Sequence, residues 1–188
     1  MERQQAATLS GIHKGHLERY FFAAQTAKGR VLDAACGCGY GSHILSGNGS
    51  RVVGIDIEPS AIEWAKRHYA GPGYICGDVM DAPWLGKFDY AVSFETIEHL
   101  PDPLTFLKLL KEDAFGLICS TPNQENYPFD PSKFEGDDYP HLKHYTPGEL
   151  DALLEEAGWT VVEHHCQKTK IGPVESGSNG MFMINVCE

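Results

Sequence analysis

The chain has no second cysteine pair. Its six cysteines stand at 36, 38, 76, 119, 166 and 187, and Cys36 and Cys38 alone are near neighbours. That pattern supplies neither zinc-ligand spacing nor a disulfide framework. Cys119 in GLICS and Cys187 in MFMINVCE sit in apolar runs, as small buried hydrophobes do, which fits a reducing compartment. No apolar run approaches the ~18 residues of a membrane span. The opening MERQQAATLS lacks the apolar stretch of a secretory signal, so a soluble, cytoplasmic protein is expected. Positive charge is scarce: 15 Lys and Arg against 26 Asp and Glu leave a formal charge of −11. That balance argues against attraction to a phosphate backbone and makes nucleic acid an unfavoured partner. The shortage is uneven. Residues 1–30 hold five basic side chains against two acids, whereas residues 125–163 hold ten acids against two lysines.

What is present reads as one domain over residues 1–188, with no internal repeat and enough apolar content (42%) for a core. Residues 8–27 predict a helix, part of an N-terminal cap over 1–28. Strands and helices then alternate. VLDAAC (31–36), RVVGIDI (51–57), YICGDV (74–79), FDYAVSF (88–94) and FGLICST (115–121) read as strands. Helices are expected near 40–47 and over 59–70, 103–113 and 147–158. WTVVEHHC (159–166) and MFMINVC (181–187) have no helix between them and should pair antiparallel. Residues 122–145 form a long polar and aromatic loop suited to a lid. The fold class is α/β, a mostly parallel sheet with helices on both faces.

In such sheets ligands bind beyond the carboxyl ends of the strands, where the strand order reverses. The first strand ends in Asp33-Ala-Ala-Cys-Gly37-Cys-Gly39-Tyr-Gly41. A dinucleotide fingerprint would place a glycine where Ser42 stands. An acid four residues before Gly37 would repel a pyrophosphate, but it suits a cationic ligand carrying an amino group. Asp56 ends the second strand, where a carboxylate can accept both hydroxyls of a ribose. Asp78 follows the third strand, placed for an exocyclic adenine amine. One such acid alone reads as a cap or turn residue; three at successive strand ends beside a glycine loop read as a site.

VLDAACGCGYGS, VVGIDIEPSAIEWAK, GDVMDAPW, FDYAVSFETIEHL, ICSTPN and HLKHYTPGELDALLEEAGW, in this order, resemble the class I S-adenosylmethionine (SAM)-dependent methyltransferases. The resemblance covers nearly the whole chain. It implies a Rossmann-like seven-stranded sheet in the order 3-2-1-4-5-7-6, with strand 7 antiparallel. It also implies that Asp33, Ala35, Gly37 and Gly39 line the methionine portion of SAM. Asp56 and Ile57 would hold the ribose and adenine, Asp78 and Val79 the adenine, and Phe94 and Glu95 would touch the cofactor. HLERYFFA (16–23) resembles the segment preceding the glycine loop in bacterial and phage members, so that Arg19 would pair with the SAM carboxylate and Tyr20 cover the site. LLKEDAFGLICS lacks the family's Pro-Gly-Gly turn before strand 5.

The fourth strand runs into VSFETIEHLPDP, where Glu95, Glu98 and His99 stand at i, i+3 and i+4. In helical geometry the three share one side. Three readings stand open. His99 acts as general base, oriented by Glu98, since methyl transfer needs a positioned acceptor stripped of its proton. Alternatively Glu95, Glu98 and His99, with His141 after strand 5, hold Mg²⁺ or Mn²⁺. That set resembles the E-x-x-E-H ligands of small-RNA 2′-O-methyltransferases, and ubiquinone-pathway O-methyltransferases carry a similar motif. Thirdly, Glu98 and His99 begin a helix and cap its amides. The first two readings both make the acceptor an oxygen. His144 is expected to face solvent, and His164 and His165 to lie on a strand. The expected activity is O-methylation of a small-molecule or saccharide hydroxyl. The rivals are a metal-dependent RNA 2′-O-methyltransferase and a SAM-binding protein without transferase activity.

Overall fold

A computed structural model describes residues 4–80, 86–134 and 140–188, the side chain of Phe134 excepted. Residues 81–84 of GDVMDAPW and Tyr139 of the 122–145 loop lie outside these. In chain order the elements are α1 (Lys14–Thr26), β1 (Arg30–Ala34), α2 (Tyr40–Ser46), β2 (Arg51–Asp56), α3 (Pro59–His68), β3 (Gly73–Cys76) and β4 (Phe88–Phe94). There follow α4 (Pro103–Asp113), β5 (Ala114–Pro122), α5 (Pro147–Glu156), β6 (Val161–Gln167), β7 (Glu175–Ser176) and β8 (Phe182–Cys187). The helix starts are written in the sequence. α3, α4 and α5 each begin with proline, capped by Glu58, Asp102 and Thr146 respectively, and Thr146 forms a capping box with Glu149.

Sheet order is β3-β2-β1-β4-β5-β8-β6-β7. The eighth strand is the two-residue edge β7, paired with His165 and Cys166 of β6. With it set aside, the order is the expected 3-2-1-4-5-7-6. β8 is antiparallel to both its neighbours, while β1, β2, β3, β4 and β5 pair in parallel. Alternate residues feed two cores. Leu32, Ala91 and Leu117 meet Phe106, Leu110, Leu154 and Trp159 on one face. Val31, Val92 and Ile118 meet Ala23, Leu45 and Ile62 on the other. Both faces of the sheet are therefore covered, as its apolar strands require.

Several boundaries differ from the sequence expectation for local reasons. The N-terminal helix starts at Lys14, not residue 8, because Ile12 is extended after a short turn at Leu9–Gly11. β3 stops at Cys76, since Asp78 turns back to accept the Met80 amide. α4 passes straight into β5, so no Pro-Gly-Gly turn is needed, and Asp113 at the junction pairs with Lys87. Among the described residues, no helix is long and apolar enough to cross a membrane.

Candidate functional site

β1 and β4 are neighbours, yet β1 leads toward β2 and β3 whereas β4 leads the other way, to β5. The crevice opened there is a cavity of about 240 Å³. Its floor is the loop after β1, curled by left-handed residues at Ala35 (φ 65°), Gly37 (φ 53°) and Gly39 (φ 84°). For Ala35 this conformation costs about 1 kcal/mol or more, and such strain concentrates at functional sites. Glu95, immediately after β4, is the other non-glycine residue of positive φ among the described residues, at 51°. Both flank the cavity.

The structure brings Arg19, Tyr20, Ala35, Gly37, Asp56, Ile57, Asp78, Val79, Phe94, Glu95 and His99 to this one wall. Asp56 shapes the loop as well as facing the cavity: its Oδ2 accepts the Gly37 amide at 2.8 Å and its Oδ1 the Glu58 amide at 2.9 Å. Asp33 and Gly39 are not in the lining, contrary to expectation. Asp33 is fully buried beneath the loop, accepting Ser42 Oγ at 2.5 Å and Tyr20 Oη at 3.1 Å. It thereby ties α1 and α2 to β1. Burial pushes its carboxyl up to about 6. Gly39 faces the protein instead, where a Cβ would lie 2.5 Å from Ala65 Cβ. Gly41, the third glycine, lets the Tyr20 ring lie on its Cα, for a Cβ there would be 2.0 Å from that ring.

The segment after β4 also departs from the helical pattern. Glu95 is not helical, and the single 3₁₀ turn covers Ile97–His99. Glu95 Oε1 accepts Ser120 Oγ at 2.8 Å, and Glu98 Oε2 accepts Thr121 Oγ1 at 3.1 Å. Glu98, His99 and His141 converge: each offers one ligand atom, and these lie within 4.8 Å of one another. Glu95 stands outside that triangle. The capping reading fails, because Asp102 caps α4 and neither Glu98 nor His99 does. Glu98 is 1% exposed, and burial, then the neighbouring Glu95, push its carboxyl well above the usual carboxylate range. Among the described residues its Oε1 is buried without a hydrogen-bond partner.

Hydrogen bonds fix which imidazole nitrogens carry protons. A carbonyl oxygen only accepts, so His144 Nδ1, 2.7 Å from the Tyr127 carbonyl, bears the proton there. Burial holds His144 below its ordinary pKa and thus neutral, so its Nε2 accepts. His141 Nδ1, 2.7 Å from that Nε2, must then donate. His141 is itself lowered to about 3, by burial first and then by His99 and His144. His99 Nδ1 donates likewise to the Pro140 carbonyl at 3.1 Å. Both rings therefore carry a proton on Nδ1, toward these acceptors. His144 is 2% exposed, not solvent-facing as the sequence suggested. Its spacing of three from His141 was the available signal.

A second cavity of about 260 Å³ shares Gln4, His16, Arg19 and Glu95 with the first and adds His13, Tyr127, His141, Lys170 and Phe182. Sequence reasoning missed most of these. One legible signal was the three-residue step His13, His16, Arg19, a single face of α1. His16 Nδ1 lies 2.8 Å from Tyr40 Oη, and burial, then Arg19, lower its pKa to about 3. Arg19 is 1% exposed; its Nη1 donates to Gln167 Oε1, its Nε has no partner among the described residues, and its guanidinium lies 4.9 Å from the Phe182 centroid.

Residues 5–164 match the family described as "Methyltransferase domain". A "Probable S-adenosylmethionine-dependent methyltransferase" of Mycolicibacterium smegmatis is 31% identical over 136 residues, 70% of this chain and 52% of its own. The "Ubiquinone biosynthesis O-methyltransferase" of Ruegeria sp. is 31% identical over 153 residues, 71% of this chain and 61% of its own. The chain thus spans only 52% and 61% of the lengths of these two relatives. Among solved structures, a SAM-dependent methyltransferase of Thermotoga maritima, described as a possible histamine N-methyltransferase, has a TM-score of 0.73 at 20% identity, covering 93% of this chain and 88% of that one. The CcbJ methyltransferase of Streptomyces caelestis has a TM-score of 0.72 at 14% identity, covering 93% and 94%. At such identities these two show the fold alone. The chain belongs to the class I SAM-dependent methyltransferases, a family whose methyl donor is SAM.

Proposed function

We propose that the chain transfers the methyl group of SAM to an oxygen of a small hydroxylated acceptor, in the cytoplasm. The observation that carries this reading is the Glu98–His99–His141 triangle, with both imidazole Nδ1 atoms turned to acceptors, beside the first cavity. SAM would occupy the first cavity, where Asp56 would hold the ribose hydroxyls, Asp78 the adenine amine, and Ile57 and Val79 the faces of the base. Arg19, buried and with its Nε unpartnered among the described residues, would take the SAM carboxylate. SAM, when bound, would supply an activated methyl group to the acceptor oxygen, its bond to sulfur breaking as the bond to oxygen forms and the electron pair remaining on a neutral thioether, and His99 Nε2 would take the hydroxyl proton.

A second reading is favoured by the buried, unpartnered Glu98 Oε1. Ligand imidazoles commonly donate their other N–H to a carbonyl or a further acceptor, and His99 and His141 both do. Glu98, His99 and His141 would hold Mg²⁺ or Mn²⁺, which would polarise the acceptor hydroxyl.

The test uses SAM labelled on its methyl group, incubated with fractionated cell extract with and without a chelator. Label is expected on the oxygen of small hydroxylated metabolites or saccharides. Glu98→Gln should lower turnover about 10³-fold while leaving cofactor affinity within about threefold. Loss of turnover with chelator selects the metal; unchanged turnover selects the imidazole base. Label in RNA, or on nitrogen, would overturn the acceptor assignment. Tight cofactor binding with no label in any fraction would make the chain a SAM-binding protein.

A further inference from the structure

We propose that Gln167 is the positioning residue for Arg19, holding its guanidinium for a carboxylate without cancelling its charge; this rests on the reading in which Arg19 takes the SAM carboxylate. Gln167 closes β6 and is 0% exposed. Its Nε2 donates to the Gly15 carbonyl of α1 at 3.1 Å and to the Gly172 carbonyl at 2.8 Å. Both amide hydrogens are thus used on groups that only accept. The orientation of the amide follows. Its Oε1 must face Arg19, and it accepts Nη1 at 2.5 Å. A flipped amide would set N–H against N–H there, and an oxygen against two carbonyls.

A guanidinium is a rigid planar fork that stays charged. Gln167 grips one corner of this fork, and its carbon stands over the Phe182 ring, 4.9 Å from the centroid. Held at a corner and along a face, it keeps its remaining N–H groups in one direction. Nε has no partner among the described residues, although Arg19 is 1% exposed. Glu95, a carboxyl that lines both cavities with Arg19, is engaged with Ser120, and burial raises its pKa in spite of the pull of Arg19. The bonded partner of this charge is therefore a neutral amide. A carboxylate at position 167 would hold the fork as well but would compete with an incoming anion. The same amide ties α1 to the segment after β6, packed so closely that a Cβ on Gly15 would lie 2.0 Å from the Lys170 carbonyl oxygen. Removing it should weaken a carboxylate contact and spare the contacts to the nucleoside.

The test compares S-adenosylhomocysteine, the demethylated cofactor, with its decarboxylated analogue, S-adenosyl-3-thiopropylamine, by calorimetry on the whole chain. The unaltered chain should bind the carboxylated ligand about tenfold more tightly. Gln167→Met keeps the volume and removes the acceptor. It should lower affinity for S-adenosylhomocysteine about tenfold and leave that for the analogue within about twofold. Gln167→Glu, whose carboxylate pairs with the guanidinium, should erase the preference as well. Arg19→Met combined with Gln167→Met should lose no more than Arg19→Met alone. A preference that survives either Gln167 variant, a further loss in the double variant, or affinities for both ligands that fall together would overturn the inference, the last by showing a merely structural amide. No preference in the unaltered chain would instead overturn the carboxylate reading of Arg19, and the inference with it.

Discussion

The two halves of the cleft are built to opposite rules. Below the glycine loop the acids are already engaged: Asp33 accepts two hydroxyls and Asp56 two backbone amides. These groups shape a wall. Past β4 and β5 a buried polar atom is left short of a partner: Glu98 Oε1 has none among the described residues. Buried polar groups are seldom left so. The cofactor half is thus set by contacts within the chain. The acceptor half awaits contacts from outside it.

If that contrast holds, damage to the cofactor half should appear first as stability. The largest effect is Asp33. Its pKa of about 6 in the folded chain lies above the ordinary carboxylate value of ~4. Between those values the folded chain keeps a proton that the unfolded chain has lost. The stabilising contribution is therefore complete below pH ~4 and lost as pH rises through about 6. The cofactor-free protein should lose about 3 kcal/mol over that window beyond what Asp33→Asn loses. Urea melts at the two ends of the window measure it, and identical pH slopes would show that Asp33 carries no such strain.

The glycines give the next test. Gly39→Ala places a methyl against Ala65 and Tyr74 at positive φ and should cost about 2–3 kcal/mol of stability. Gly37→Ala meets no atom within 4 Å. It should cost about 1 kcal/mol of stability through φ alone, but lower cofactor affinity by intruding on the cavity. Denaturation and calorimetry on both variants separate the roles; the reverse pattern would exchange them.

The smallest effect belongs to the other half. His144→Phe removes the acceptor that keeps the His141 proton on Nδ1, and should lower turnover about tenfold with little change in cofactor affinity. Nitrogen-15 spectra of the histidines read the tautomer directly. A His141 proton that stays on Nδ1 in the variant would show that His144 does not set it.

Much of this was legible in the sequence. The parallel α/β sheet followed from alternating apolar runs and helix starts, its strand order came from the family resemblance, and three acids at successive strand ends pointed to a cofactor. Which way a strand-end side chain turns was not legible. Asp33 and Asp56 look alike in sequence, yet one lies beneath the loop and the other faces the cavity, because Ser42 and Tyr20 close over Asp33. The three-residue step from Glu95 to Glu98 suggested a helix, but the left-handed turn at Glu95 removed it from the triangle. His144 and Lys170 come to the site through long-range packing of loops, which no local periodicity records.

Arg19 meets Gln167 across 148 residues of sequence, and Gln167 also takes the carbonyls of Gly15 and Gly172. Phe182, on the last strand, lies under the same guanidinium. During synthesis, then, the glycine loop leaves the ribosome long before the residues that complete its wall. A nascent chain short of β8 has the strands beside the glycine loop but not the closed pocket, so the wall around Arg19 is complete only once β8 has joined the sheet.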